Sequence, residues 1–157
     1  MSLPKVKEYL KKYNMENDIL LFDGSSATVK EAAHELNCTE GDIAKTLAFY
    51  VLDKPILILM AGDAKCQNNL FKKVFHEKAK MVPFADVERV IGHAPGGVCP
   101  FGINEEVKVY FDESLKKHEY VYPACGSSNS AIKLSIESLC KVVPKHEWIN
   151  VSEPFQE

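Results

Sequence analysis

Two apolar runs separated by a short polar turn constrain the fold of this chain more than any other feature. Residues 46–51 and 56–61 flank Asp53, Lys54 and Pro55, which predicts a β-hairpin with antiparallel strands. Helical patterns lie on both sides of the hairpin, without the regular strand–helix alternation that builds a parallel sheet. We therefore expect an α+β fold with a mixed sheet.

Helical periodicity begins close to the N-terminus. Val6, Tyr9, Leu10 and Tyr13 follow the spacing of one helix face, and Ser2 is placed to cap the start of that helix. Further segments follow from pattern and turn chemistry. They are a short helix from residue 39, helices at 68–75 and 85–91, strands at 107–111, 120–122 and 131–134, and helical turns at 112–117 and 135–141.

The sequence contains both a start signal and a stop signal for a second helix. Thr28 and Glu31 have the spacing of a capping box for a helix that runs to about Leu36, and Asn37 is a suitable stop. Residues 19–22 precede it and predict a short buried strand.

Length and composition favour one globular domain over residues 1–157. The chain is 46% hydrophobic with a net charge of −3, which is enough apolar content for a substantial core. The longest apolar run, residues 56–61, is far shorter than the roughly 20 residues that cross a bilayer. The opening Met1-Ser2-Leu3-Pro4 does not resemble a signal peptide. We expect a cytoplasmic protein.

The cysteines give no metal or disulfide pattern. Cys38, Cys66, Cys99, Cys125 and Cys140 are odd in number and widely spaced, without a Cys-x-x-Cys pair or a nearby histidine. We expect no metal site. Cys99 and Cys125 fall in loops of functional interest and are candidate nucleophiles, although small apolar fillers are the simpler interpretation.

Residues 92–102, which we call the glycine loop, hold four glycines and two prolines and are expected to follow a helix that ends at Gly92. Such a loop can bind a small polar ligand through its peptide groups; the alternative is a tight helix-to-strand connection. His93 is a candidate general base beside the Gly96-Gly97 pair, or else a solvated side chain. The remaining histidines, expected at the surface, are His34, His76, His118 and His146.

Four motifs carry a resemblance to a known family. They are Lys45-Thr46-Leu47 entering a strand, Ala61-Gly62-Asp63 closing its hairpin, the Gly-x-x-x-Gly-Gly-x-x-Pro-x-Gly pattern of the glycine loop, and Gly126 six residues before Ile132. In order and spacing they resemble the YbaK and prolyl-tRNA synthetase editing-domain family. The similarity extends from the N-terminal helix to about Lys141.

This resemblance implies a fold, an activity and partners. The family fold is a mixed, strongly curved sheet surrounded by helices. Its members hydrolyse the ester of mischarged aminoacyl-tRNA, typically a tRNA for proline carrying alanine or cysteine, and need no metal or organic cofactor. We expect a free-standing trans-editing deacylase that contacts the tRNA acceptor end. A synthetase or elongation factor is a possible partner, and a monomer is the default oligomeric state.

The resemblance also suggests the site residues. Lys45 is expected to contact the terminal phosphate or adenosine hydroxyls, although a lysine covering a strand end is the alternative. The Gly96 and Gly97 amides are expected to stabilise the oxyanion that forms as water, or the thiol of a cysteinyl substrate, attacks the ester. Further expected substrate-binding residues are Thr46, Gly62, Asp63, His93, Pro100, Gly102, Gly126, Ser127 and Asn129.

Residues 125–130, which we call the serine loop, are expected to form the other wall of the pocket. Some relatives carry Arg-Gly and an acidic residue ahead of the final isoleucine, where this chain has Ser128-Asn129 and Ala131. Without that acidic group, Asn129, Ser127 or a backbone carbonyl would have to bind the substrate's amino group.

A lysine cluster beside the expected pocket suits either tRNA phosphates or simple solvation. Its members are Lys65, Lys72, Lys73, Lys78 and Lys80. Two other functions stay open on this sequence. One is an aminoacyl-tRNA-binding module without turnover, and the other is an esterase or deacylase that acts on a small acyl compound.

Overall fold

The computed structural model describes residues 2–152. Its helices are α1 (Ser2–Lys11), α2 (Val29–Leu36), α3 (Asn68–Phe75), α4 (Val87–Ile91) and α5 (Ile136–Val142), with 3-10 turns at Glu16–Asp18, Glu40–Asp42, Phe84–Asp86 and Glu113–Lys117. Its strands are β1 (Leu20–Leu21), β2 (Ala44–Val51), β3 (Lys54–Ala61), β4 (Lys108–Asp112), β5 (Tyr120–Val121), β6 (Ser130–Ala131), β7 (Leu134–Ser135) and β8 (Glu147–Ile149).

The central sheet has the strand order β2-β3-β4-β8. Strands β2 and β3 form the antiparallel hairpin, whereas β4 lies parallel to β3, and β8 parallel to β4. The parallel step requires a long crossover, and α3 and α4 lie in it. Short antiparallel pairs, β1 with β6 and β5 with β7, complete the strands. The prediction of an α+β fold with a mixed sheet is confirmed.

The hairpin turn is tighter than the sequence suggested. Leu52 and Asp53 have φ angles of 52° and 63°, so the turn consists of two left-handed residues. Lys54 and Pro55, expected in the turn, are the first two residues of β3 and pair with Val51 and Tyr50. A two-residue turn of this kind matches the right-handed twist of the flanking strands, which explains why the pairing continues to the end of each strand.

Strand β3 is buried on both faces, and this places the core on either side of the sheet. Leu59 faces the side on which α1 and α5 pack, whereas Ile58 and Met60 face the side on which Phe71 of α3 packs. A strand covered on both faces has no need for polar alternation, which explains the unbroken apolar run of β3. Within residues 2–152, no helix has the length and apolar character required to cross a membrane.

Local capping signals are confirmed where they were expected. Thr28 precedes α2, and its side chain accepts a hydrogen bond of 3.1 Å from the Glu31 amide. Asn37 ends that helix in the left-handed conformation, with φ 53°, and Gly92 ends α4 with φ 110°. These motifs involve residues three or four positions apart, so they do not depend on the rest of the fold.

Several local expectations were wrong. Ser2 is a residue of α1 rather than its cap. Strand β1 is exposed, with Leu21 at 59% exposure, because it pairs at the rim of the molecule with β6. The predicted strand at 131–134 is two short strands, because Ile132 turns into the core between them. Strand β8 was not predicted.

Two histidines expected at the surface are partly buried and bonded. His118 Nδ1 lies 3.0 Å from Asp42 Oδ1, and the His146 ring stacks on Phe111 at a centroid distance of 4.4 Å. Neither contact could be predicted from the polar residues next to each histidine, because each partner lies far away along the chain.

Candidate active site

A cavity of about 320 Å³ lies between β2, the start of α2 and the glycine loop. Strand β2 forms one wall, and segments around Val82 and Ala124 close the sides. Its lining residues are Ser26, Ala27, Thr28, Val29, Ala32, Leu36, Ile43, Ala44, Lys45, Thr46, Leu47, Ala48, Met81, Val82, Val87, Pro95, Gly96, Val98, Tyr122, Ala124, Ser130 and Ala131.

The cavity is mostly apolar. Small side chains occur on several of its walls, including Ala44 and Ala48 on β2 and Ala124 and Ala131 near the serine loop. No carboxylate side chain lines it, within the part of the chain that the structure describes. Ala131, which stands where some relatives carry an acidic residue, is one of the lining residues.

The glycine loop is locked against the serine loop at Gly97. The Gly126 amide donates a hydrogen bond of 3.0 Å to the Gly97 carbonyl. A Cβ at Gly97 would lie 2.5 Å from backbone atoms of both Gly126 and Ser127, closer than carbon and nitrogen atoms pack. Only glycine permits this approach, so Gly97 sets the spacing of the two loops.

The amides of the glycine loop differ in what they can bind. Gly97 donates its N–H to the Ala94 carbonyl at 3.1 Å and has no donor left for a substrate. The amides of Gly96 and Val98 donate to no atom among residues 2–152, and both residues line the cavity. The structure thus replaces the expected Gly96-Gly97 donor pair with Gly96 and Val98. Gly96 has φ 92°, a conformation that glycine adopts without strain.

Lys45 at the start of β2 contacts the turn that follows β3, so the first two sequence motifs lie together. Its Nζ donates to the carbonyl of Ala64 at 2.5 Å and to that of Gly62 at 3.4 Å, and the side chain is half-buried. Burial lowers the pKa of Lys45, and the neighbouring Asp63 carboxylate partly offsets this effect. Gly62 and Asp63 themselves do not line the cavity but belong to the turn that Lys45 holds.

Two hydroxyl groups at the cavity have no partner. Thr46 Oγ1 and Ser26 Oγ are buried and make no hydrogen bond within residues 2–152. An unpaired buried hydroxyl costs about 1–3 kcal/mol, a cost that a bound ligand can remove. Both residues line the cavity. The sequence motif pointed to Thr46 but not to Ser26, which reaches the cavity only through the path of the loop before α2.

His93 is not placed as a general base. Its side chain is fully buried outside the cavity lining, and its Nε2 lies 2.6 Å from the Phe101 carbonyl oxygen. Because a carbonyl only accepts, Nε2 carries the proton. Burial lowers the pKa of His93, an effect that this hydrogen bond partly opposes. The expectation of a solvated side chain was wrong, since His93 closes the glycine loop from within.

The other expected binding residues do not line the cavity. Gly102 packs against the backbone of Lys5, and Gly126 packs against that of Ser2. Pro100, Ser127 and Asn129 also lie outside the lining, and the Ser127 hydroxyl is occupied by Asn129 Oδ1 at 2.8 Å. Their neighbours Ser130 and Ala131 do line the cavity.

The two candidate cysteine nucleophiles are buried in the core. Burial raises the pKa of Cys99 to about 12 and the pKa of Cys125 well above its ordinary value. Because the thiolate is the reactive form, neither is placed as a nucleophile. Across residues 2–152, no three His, Cys, Asp or Glu side chains gather in the manner of metal ligands.

Comparison with known proteins identifies the family and the fold. Residues 23–142 match the aminoacyl-tRNA editing domain family, and the chain belongs to that family. The resemblance read from the four motifs is confirmed. A crystal structure titled "putative trans-editing enzyme for prolyl tRNA synthetase" superposes with a TM-score of 0.86 over 98% of both chains, at 23% identity, which establishes the shared fold.

Sequence relatives fall into two groups by length. The Bacillus subtilis protein named "Uncharacterized protein YwhH" is 42% identical over 157 residues, covering 99% of this chain and 100% of the relative. The proline–tRNA ligase of Bacillus subtilis is 33% identical over 92 residues, which is 57% of this chain and 16% of the ligase. This chain is therefore similar to one part of the ligase and to the whole of YwhH.

Proposed function

We propose that this protein is a free-standing deacylase that hydrolyses the ester of mischarged aminoacyl-tRNA. The observation that carries the proposal is the cavity beside the glycine loop, where two buried hydroxyls and two backbone amides have no partner among residues 2–152. Membership of the editing-domain family supports this chemistry. The leading substrates are alanyl- and cysteinyl-tRNA for proline.

The available groups suit hydrolysis of an activated ester. The amides of Gly96 and Val98 are donors that can stabilise negative charge on the ester carbonyl oxygen. No cysteine or histidine lines the cavity among the described residues, so the attacking group is water or, for a cysteinyl ester, the substrate's thiol. The protein then contributes position and charge stabilisation.

The cavity also limits the acyl group. Its alanine-lined walls suit a small apolar side chain. Because no carboxylate occurs among the described lining residues, the substrate's α-amino group would pair with the hydroxyl of Thr46 or Ser26. Asn129 and Ser127, which the sequence suggested for this role, lie outside the lining.

Lys45 has one donor to spare. An ammonium group carries three N–H bonds, and the carbonyls of Gly62 and Ala64 use two of them. We assign the third to the terminal phosphate or ribose hydroxyls of the tRNA. The same residue holds the turn after β3, so its loss would affect both binding and local order.

The proposal is tested by deacylation of a panel of mischarged tRNAs, led by alanyl- and cysteinyl-tRNA for proline. Hydrolysis of one member by the native protein is expected to fall at least tenfold in Lys45→Ala and in Thr46→Val, which keeps side-chain shape but removes the hydroxyl. No turnover of any member by the folded native protein would refute the proposal and favour a binding module.

A shorter substrate distinguishes a tRNA deacylase from the alternative, an esterase that acts on a small acyl compound. If an aminoacyl-adenosine mimic were hydrolysed as fast as the tRNA ester, the tRNA body would be irrelevant, and a small-molecule deacylase would be favoured. As part of the same proposal, the protein acts in the cytoplasm as a monomer, and a synthetase or elongation factor delivers the tRNA.

A further inference from the structure

An exposed aromatic ring stands beside the cavity with no role in the core. Phe84 is 80% exposed, and Met81, three residues earlier, is 56% exposed and also lines the cavity. Phe84 lies in the chain between two further lining residues, Val82 and Val87. A large apolar side chain left this open next to a binding site gains stability only when a partner covers it.

The segment that carries the ring is firmly held. Tyr50 donates its amide to the Lys80 carbonyl at 2.8 Å, and the Val82 amide donates to the Ala48 carbonyl at 3.0 Å, so the segment extends the edge of β2. Pro83 then leads into the turn that holds Phe84. The ring is therefore presented on a fixed backbone rather than on a loose loop.

Two lysines lie on the side of the ring that precedes it in the chain. Lys78 and Lys80 precede it and are exposed. The acidic groups near the ring in the chain are Glu77, which accepts a hydrogen bond from the Leu52 amide, Asp86, which is paired with Arg89 at 3.3 Å, and the exposed Glu88. An exposed aromatic ring with lysines alongside is the usual platform for single-stranded nucleic acid, whose bases stack and whose phosphates pair with the lysines.

We propose that Phe84 and Met81 form a stacking platform for an unpaired base of the tRNA acceptor end, with Lys78 and Lys80 facing its phosphates. This inference rests on the proposed function, because the ester in the cavity is joined to that single-stranded end. The reacting end enters the cavity, and the base remains outside at the rim, where the platform lies.

The test uses uncharged RNA, so it does not depend on turnover. Phe84→Trp supplies a fluorescent reporter, and a short RNA ending in CCA is titrated against it with Trp148 in the native chain as background. The expected result is quenching by the single strand and little quenching by the same RNA held in a blunt duplex. Equal quenching by both forms would overturn the inference.

The second test measures the affinity of substituted proteins for the same RNA. Phe84→Ala is expected to weaken binding of the CCA-ended RNA by roughly 5- to 150-fold, the usual contribution of one stacked base. Leu52→Ala is the matched control, because Leu52 is 75% exposed but lies in the β2–β3 turn outside the cavity lining. Unchanged RNA affinity in Phe84→Ala would refute the platform, as would a change in self-association alone, which would assign the ring to a second copy of the chain.

The two proposals can fail separately. Loss of RNA binding in Phe84→Ala without turnover of any charged tRNA would leave the platform standing and remove the deacylase. If the native protein hydrolyses a charged tRNA and Phe84→Ala does so with an unchanged KM, the deacylase proposal stands and the stacking platform is refuted.

Discussion

Replacing Gly97 by alanine tests how the two loops form the cavity. A Cβ at this position would lie 2.5 Å from the carbonyl carbon of Gly126 and the amide nitrogen of Ser127. Both are backbone atoms and cannot rotate away, so the loops must separate by several tenths of an ångström or more. That movement also stretches the bond between the Gly126 amide and the Gly97 carbonyl.

The expected cost follows from these two effects. Overpacking of a tight contact costs about 1–3 kcal/mol, and a lost hydrogen bond costs about 0.5–1.5 kcal/mol, so we expect Gly97→Ala to destabilise the fold by roughly 2–4 kcal/mol. In a domain of this size that corresponds to a fall in Tm of roughly 5–15 °C. Deacylation should fall as well, because Gly96 and Val98 move with the loop.

A matched variant separates close approach to backbone from the general effect of adding a methyl group. At Gly24 a Cβ would also lie 2.5 Å from its neighbour, but that neighbour is the carboxyl end of Glu35, a flexible side chain. Moving that carboxylate costs at most the hydrogen bond that it accepts from the Gly24 amide, about 0.5–1.5 kcal/mol, so Gly24→Ala should melt at a higher temperature than Gly97→Ala. Thermal unfolding followed by circular dichroism measures both variants. Equal melting of Gly97→Ala and the native protein would refute the loop contact as the determinant of the cavity.

Two further predictions concern buried titratable groups. Because burial lowers the pKa of His93, the unfolded chain takes up a proton at higher pH than the native one, so the contribution of His93 is intact above about pH 6.5 and is lost as the pH falls below it. Urea unfolding between pH 7.5 and 5.5 should show a shallower loss in His93→Gln, which does not titrate; identical slopes would contradict this. Because Cys99 and Cys125 are buried with raised pKa values, they should resist a thiol reagent at neutral pH until the protein unfolds, while the partly exposed Cys38 and Cys140 react first. Mass spectrometry of cleaved, labelled peptides gives the order, and early labelling of Cys99 would contradict the buried placement.

Much of the fold was accessible from sequence because its signals are local. The capping box at Thr28 and Glu31, the stop at Asn37 and the hairpin between β2 and β3 depend on neighbours or on a simple alternation of residue types. Strand β8 was missed because its three residues carry no pattern of their own, and they are a strand only because β4 offers an edge.

The candidate site was predicted less completely. Lys45, Thr46 and Gly96 line the cavity, and the roles given to them stay predictions, whereas His93 and Gly97 hold the loop. The sequence shows which residues share a motif. It does not show which side of a strand or loop faces a cavity, because that depends on packing against residues far away in the chain.

The sequence by itself determined the family, the α+β class, the helix ends and the importance of the glycine loop, since these rest on residue types and short spacings. Tertiary structure decided which amides of that loop are free, which hydroxyls lack a partner and which ring stands exposed at the rim. The physical reason is that a donor, an acceptor or an apolar surface becomes available for binding only when no other part of the folded chain has already satisfied it.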